Sequence, residues 1–257
     1  MGETRIKPPS SGPKVLCLDI ETSPHLASVW GLWQQNVSLS QLRECTRVIC
    51  WAAKWHAKPG VEFRSDHHDG HDKQIARMHE LLDEADIVTG WNHKGFDLKH
   101  LNREFVLAGL APPAPYVILD LMLEVKRHFR FASNKLDHVG QQLGLGKKIS
   151  NGGMSLWDAC LIQNDPAAWA KMRAYNIQDT RLTEKVYDAI KPWLKMPNVA
   201  LMTGQDGLAC TSCGSSKVIK RGFAITGTGA YQRYACKKCK KFSRGAQRVA
   251  TTELRPL

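Results

Sequence analysis

Asp19 and Glu21 stand two residues apart in the apolar run "KVLCLDIETSP". Val15, Leu16, Cys17, Leu18 and Ile20 read as an interior strand, and residues i and i+2 of a strand share a face. Two carboxylates side by side require a proton or a cation to neutralise them. Asp97 in "WNHKGFD" follows a second strand-like run, "DIVTGWN". Tyr175 and Asp179 of "YNIQD" are four apart and so project from one side of a helix. Four carboxylates and one phenol thus come from three separate segments. Acids in that number share a site only where cations hold them, and hard oxygen ligands favour Mg²⁺ or Mn²⁺. Two such ions, roughly 3.5–4 Å apart, form the apparatus for in-line attack on a phosphodiester.

A second constellation lies near the C-terminus. Of eight cysteines, four form "CTSC" (Cys210, Cys213) and "CKKC" (Cys236, Cys239), with 22 residues between the pairs. Where thiols stay reduced, paired CxxC units read as one tetrahedral Cys₄ site for a structural Zn²⁺. The gap has room for two hairpin-like strands, "KVIKRGF" and "YQRYAC". A segment of about forty residues has too little core to fold unaided, so the metal supplies much of its stability. Lys217, Lys220, Arg221, Arg233, Lys237, Lys238, Lys240, Lys241 and Arg244 interleave there with Phe223, Tyr231, Tyr234 and Phe242. Cations for phosphates beside rings for bases suit nucleic acid, single-stranded or duplex, although at least two rings are expected in the small core. Cys17, Cys45, Cys50 and Cys160 are scattered and read as core residues.

Elements that would position these groups follow from pattern. "RVICWAAKW" and "VEFRSD" read as strands, and "DKQIARMHELLDEA" as an amphipathic helix with Ile75, Met78, Leu81 and Leu82 at helical spacing. "DLKHLNREFVLAGL" reads as a helix ending near Gly109, "APYVILD" as a strand, and the chain through "YNIQDTRLTEKVYDAIKPWL" as mainly helical. Strands first, then strand–helix alternation, give an α/β fold: a mixed sheet flanked by helices, followed by a small C-terminal module. The expected domains are a disordered leader (1–13), a main domain (14–195), a linker (196–207), a zinc ribbon (208–245) and a basic tail (246–257).

"DIET", "NxxxFD" and "YxxxD", in that order, resemble the three motifs of the DEDD (DnaQ-like) 3′–5′ exonucleases over residues 14–194. The resemblance implies a ribonuclease H-like fold and a two-metal nuclease. In it Asp19, Glu21 and Asp179 hold the ion that activates water, and Asp19 and Asp97 serve the ion at the leaving oxygen. The family's histidine branch needs His five residues before the last Asp; Ala174 stands there. Tyr175 matches the tyrosine branch of proofreading domains, where the hydroxyl helps position the water. Asn92 and Phe96 match the second motif as positioning and packing residues, with Asn92 also a candidate for substrate contact. The C-terminal segment resembles zinc ribbons, in particular those of some insertion-sequence transposition proteins, except that Lys240 stands where the second knuckle might carry Gly. Together these imply an enzyme of phage or mobile-element type acting on DNA rather than RNA, alone or beside a separate polymerase. Two alternatives remain: an RNA-directed or structure-specific endonuclease on the same fold, and a DNA-binding adaptor whose acidic cluster is vestigial.

Other conspicuous residues read more plainly. "DHHDGHD" (66–72) is expected to be a solvated, Asp-capped loop rather than a metal site. His93 and Lys94 are candidates for phosphate contact or simple loop exposure. "LGLGKK" lacks the strand context of a dinucleotide fingerprint. Trp30, Trp33, Trp51, Trp55 and Trp91 are expected to pack, with one or two free to stack a base. The net charge of +12 is uneven: from Leu208 onward eleven Lys and Arg face one acid, leaving only +2 for the first 207 residues. A basic tail on a near-neutral body points to nucleic acid. No run is long enough for a membrane helix and no signal-peptide core opens the chain, so cytoplasm, a host's if phage-encoded, is the expected location.

Overall fold

The computed structural model describes residues 12–149, 152–204 and 207–254. They divide into two compact units, Lys14–Asp188 and a second that contains Ala189–Leu257. Apart from Gly12 and Pro13, the leader expected over residues 1–13 lies outside the described residues.

The first unit is built on β1 (Val15–Thr22). Its chain continues through β2 (Leu26–Ala27), β3 (Leu42–Glu44), β4 (Val48–Trp55), β5 (Glu62–Ser65), α1 (Asp66–Asp69) and α2 (His71–Glu84). There follow β6 (Ile87–Gly90), α3 (Asp97–Leu107), β7 (Val117–Asp120), α4 (Leu121–His128), α5 (Leu136–Gln142), α6 (Met154–Leu161) and α7 (Pro166–Ile190). Five strands form one sheet in the order β5-β4-β1-β6-β7. β1 runs antiparallel to β4 and parallel to β6, so the sheet is mixed, as the sequence pattern implies.

Period-two alternation along β1 divides its side chains between two cores. Leu16, Leu18 and Ile20 pack with Trp51 and Ala53 of β4 against Ile75, Met78 and Leu82 of α2 and Leu98, Leu101 and Phe105 of α3. Each such side chain contributes about 1.5–3 kcal/mol on burial. The other face meets α6 and α7, where Ile49, Cys50, Leu156, Cys160, Trp169, Met172 and Tyr175 form a second cluster. A strand covered on both sides needs near-continuous apolar sequence, which is why Asp19 and Glu21 stand out in it.

α7 is fixed to the sheet by polar contacts as well. The Cys17 thiol donates to the Thr180 carbonyl at 3.5 Å, and Thr180 Oγ1 donates to the Ala52 carbonyl at 3.3 Å. Lys54 of β4 reaches across to Glu184 of α7 at 2.7 Å, both side chains largely buried.

Several expectations need correction. Residues 66–72 are not a solvated loop: Ser65 caps α1 by accepting from the His68 N–H, and Asp66 accepts from Arg47 Nε, His71 Nδ1 and Gln74 Nε2. The Asp there is consumed by a partly buried network rather than displayed to solvent. Trp30 and Trp33 do not pack; they are 100% and 85% exposed in the excursion between β1 and β4. Cys45 sits on the same excursion and is exposed, unlike Cys17, Cys50 and Cys160.

The second unit is a three-stranded antiparallel sheet, β8 (Val218–Thr226), β9 (Gly229–Cys236) and β10 (Phe242–Thr251), in the order β10-β9-β8. β10 continues to Thr251, past the ribbon end expected at residue 245. Within the stretch read as a linker, Val199–Met202 forms a 3₁₀ turn, and the Val199 N–H donates to the Thr211 carbonyl at 2.8 Å.

Breaking the Lys54–Glu184 pair tests how α7 is held. Glu184→Ala leaves a buried ammonium uncompensated and should cost about 3 kcal/mol in denaturant unfolding. The double change Lys54→Met with Glu184→Leu should cost less than about 1 kcal/mol. Equal losses in the two variants would show that the charge pair is not what matters at this contact.

Candidate active site

Asp19 and Glu21 project from β1 toward α7, the layer that also carries Tyr175 and Asp179. Asn176 of α7 is fully buried and donates from Nδ2 to both the Asp19 carboxylate (2.7 Å) and its carbonyl (3.2 Å). Asp97 belongs to the opposite helical layer but opens α3, and its Oδ1 accepts from the Ile20 N–H at 3.1 Å. All four acids and the phenol therefore meet around the end of β1, close enough for each charge to act on the others.

The electrostatics of this cluster are severe. Burial, then Glu21, Asp97 and Asp179, push Asp19 well above the ordinary carboxylate range. Burial raises Glu21 to about 8, with Asp179 adding to the shift. Asp97 rises to about 7, chiefly by burial, although the Ile20 N–H pulls the other way. Burial likewise raises Asp179, opposed by Lys148.

Lys148 was not legible as a site residue. It ends the "LGLGKK" segment, and its Nζ lies 2.5 Å from Asp179 Oδ2 and 3.2 Å from the Tyr175 hydroxyl. Burial opposes its charge, but Asp179 holds it protonated above the usual lysine range. Burial and then Asp179 push the Tyr175 hydroxyl up, so the phenol stays protonated. A loop cation recruited from outside every motif thus supplies part of the missing positive charge.

The loop before Asp97 is anchored by Asp120, another residue no motif flags. One Asp120 carboxylate accepts from the backbone N–H groups of Asn92 (3.2 Å) and Lys94 (3.1 Å), and also caps α4 through Met122 and Leu123. Asn92 takes a left-handed conformation (φ 64°), which Asn tolerates better than most residues. Asn92 and Lys94 are exposed there, whereas His93 is fully buried and cannot meet a phosphate. Its Nε2–H donates to the Val88 carbonyl at 3.2 Å, and burial lowers its pKa to about 4 against the pull of Asp120, so the imidazole is neutral. Gly90 makes this possible, since a Cβ there would stand 2.8 Å from His93 Cβ. Phe96 is not packed in the core; it is partly exposed and lies 4.6 Å from the His100 ring.

The donor set fits divalent cations. The acids offer hard oxygens, and Asp179 Oδ1 is buried without a hydrogen-bond partner among the described residues. The carboxylates are not drawn tightly together, however. Among the described residues only the four C-terminal cysteines place their ligand atoms all within 4.8 Å of one another.

The cysteine cluster fits a tetrahedral ion. Cys210 and Cys239 sulfurs lie 3.5 Å apart and those of Cys213 and Cys236 3.7 Å; the edge of a Zn–S tetrahedron is about 3.8 Å. The Ser212 and Cys239 N–H groups each donate to a cysteine sulfur at 3.4 Å. Gly214 after the first knuckle has φ 69°, and Lys240 after the second has φ 64°. The two knuckles share one backbone shape, and lysine tolerates at the second what glycine adopts freely at the first. The basic candidates Lys220, Arg221, Arg233, Lys237, Lys238 and Lys240 are exposed, while Lys241 is half-buried and donates to the Leu194 carbonyl at 2.8 Å.

Two measurements follow. Without added divalent ions, the folded acids keep protons that the unfolded chain has released between about pH 4 and pH 8. Native pKa values are raised, so stability is present at low pH and is lost as pH rises through that window. The melting temperature should fall by at least about 5 °C from pH 5 to pH 8, and millimolar Mg²⁺ should flatten the slope; a flat metal-free profile would contradict the buried cluster. Lys240→Gly should stabilise the C-terminal module by about 0.5–1 kcal/mol, read as slower amide exchange at Cys236 and Cys239. Faster exchange would mean that the left-handed lysine carries no strain.

Known proteins bear on this arrangement. A family model described as RNase_H superfamily matches residues 16–191. Among solved structures, the family B DNA polymerase from the hyperthermophilic archaeon Pyrobaculum calidifontis is similar, with a TM-score of 0.52 at 19% identity. The alignment covers 70% of this chain and 25% of the polymerase, so the likeness concerns the fold and a quarter of that enzyme. A comparison with curated protein sequences finds no match. Among the described residues no helix is long and apolar enough to cross a membrane. With most of Lys14–Asp188 matched and the mixed sheet and its flanking helices in place, the chain belongs to the RNase_H superfamily.

Proposed function

We propose that the chain is a metal-dependent 3′–5′ exonuclease acting on single-stranded DNA, with a C-terminal zinc ribbon that binds nucleic acid. The observation that carries this reading is the convergence of Asp19, Glu21, Asp97 and Asp179 from β1, α3 and α7 around the end of β1 on a ribonuclease H-like sheet. When bound, two Mg²⁺ or Mn²⁺ ions supply the charge that activates water and stabilises the reacting phosphate.

The chain's own groups hold the geometry. Asn176 fixes the Asp19 carboxylate, leaving its second oxygen for a cation. Lys148 donates to the Tyr175 oxygen, and the phenol in turn hydrogen-bonds Asp179, so lysine, phenol and carboxylate form one connected set that fixes where the hydroxyl sits. Because Tyr175 stays protonated, it serves as a donor and not as a base. Beside Glu21 a hollow of ≈ 410 Å³ is walled by Pro24, Met154 and Trp157. Its apolar wall suits the terminal base of an unpaired strand.

End-labelled DNA and RNA strands, with Mg²⁺, with Mn²⁺ and with neither, test the proposal. A 5′-labelled DNA strand should shorten from its 3′ end in steps. Asp19→Ala should slow cleavage at least about 10³-fold, roughly 4 kcal/mol in the barrier, with binding retained. Internal cuts would move the assignment to an endonuclease. Tight binding without cleavage would favour an adaptor with a vestigial site.

A further inference from the structure

Registers in the C-terminal sheet sort its side chains onto two faces. Paired residues and their i±2 neighbours point the same way. Ile219, Ala235 and Phe242 are in register across the three strands, and Arg233 is directly opposite Arg244. Tyr231 and its partner Arg248 share this face. Lys220, Phe223 and Tyr234 belong to the other.

The first face is unusual in its charges. Arg233 lies over the Phe242 ring at 5.6 Å, and Arg244 over the Tyr231 ring at 4.5 Å. Arg248 hydrogen-bonds the Tyr231 hydroxyl. The three strands contain no Asp or Glu. Like charges directly opposite in a sheet are destabilising, so guanidiniums held this way ask for a polyanion. Beside them lies a hollow of ≈ 380 Å³, floored by Ile219, Ala235 and Phe242 and rimmed by Arg221, Lys237 and Lys240. Its floor is apolar and its rim cationic, and Phe242 is 53% exposed.

A duplex presents phosphates to such a surface but keeps its bases stacked, leaving the apolar floor without use. An unpaired strand offers both a base face and flanking phosphates. We infer that this Arg–aromatic face, and not the opposite one, binds single-stranded nucleic acid. An unpaired base rests on Phe242 and Ile219 while adjoining phosphates meet Arg221, Lys237 and the row Arg233, Arg244 and Arg248. The inference deepens the nucleic-acid role proposed for the ribbon and rests on that reading.

The test uses the full chain carrying Asp19→Ala, so that substrate survives, and titrates a fluorescent single strand and its duplex over a range of salt. The single strand should bind at least about tenfold more tightly than the duplex. Phe242→Ala should weaken single-strand binding about tenfold, and Phe242→Tyr should restore it. Arg244→Ala should lower the slope of log K against log salt by about 0.7. Phe223→Ala, which removes the exposed ring of the other face, should change affinity less than about twofold. Equal losses from Phe223→Ala and Phe242→Ala, or duplex binding as tight as single-strand binding with Phe242→Ala neutral, would overturn the inference. If Phe242→Ala and Phe242→Tyr both lose the fold, as read by zinc content and circular dichroism, Arg244→Ala and Arg221→Ala decide by the same comparison. Cleavage of a short strand by the chain with Asp19 intact is read separately, so failure of the binding face is distinct from failure of the nuclease assignment.

Discussion

Four carboxylates crowded around the end of β1, Asp97 and Asp179 buried and Asp19 and Glu21 half-buried, repel one another, and the neighbouring elements can be understood as answers to that repulsion. Water screens the charges only in part there, so each acid rises in pKa and the site favours protons over bare negative charge. Lys148 is a partial answer. One ammonium beside Asp179 reduces the charge without completing the neutralisation. Divalent ions would complete it, and their binding would compete with protons for the same oxygens.

Such a cluster persists only if its frame resists relaxation. β1 packs Leu16, Leu18 and Ile20 into an apolar layer and is paired with β4 and β6 on either side, which holds Asp19 and Glu21 together on its other face. α7 is locked to β1 and β4 by the Lys54–Glu184 pair and by Thr180, which fixes where Tyr175, Asn176 and Asp179 lie along the strand. Asp120 performs the corresponding task for the loop before Asp97 by satisfying four backbone N–H groups at once. None of these groups is a hard-metal ligand in the proposed mechanism, yet each sets the position of one that is.

The C-terminal module solves a different problem. Its sheet is too small and too exposed to hold itself by burial, which makes the four-sulfur cluster its natural centre of stability. Freed from supplying a large core, its strands can display arginines and half-exposed rings on one face. That electrostatic arrangement is unfavourable for folding alone and intelligible for a surface that meets phosphates.

The sequence by itself determined the donor atoms. The strand carrying Asp19 and Glu21, the helix carrying Tyr175 and Asp179, and the paired cysteines all follow from spacing, because period two, period 3.6 and CxxC are local rules. The mixed sheet was legible for the same reason, strand by strand. Only the tertiary structure decided which distant groups complete the site. Lys148 reaches Asp179 from a glycine-rich segment, Asn176 meets Asp19 across 157 residues, and Asp120 holds the Asn92 loop. It also decided that His93 is buried while Trp30 and Trp33 are not. A lysine, an asparagine or a tryptophan carries no periodicity that reports its partner. Its role is set by which elements pack over it, and that packing is a property of the whole chain.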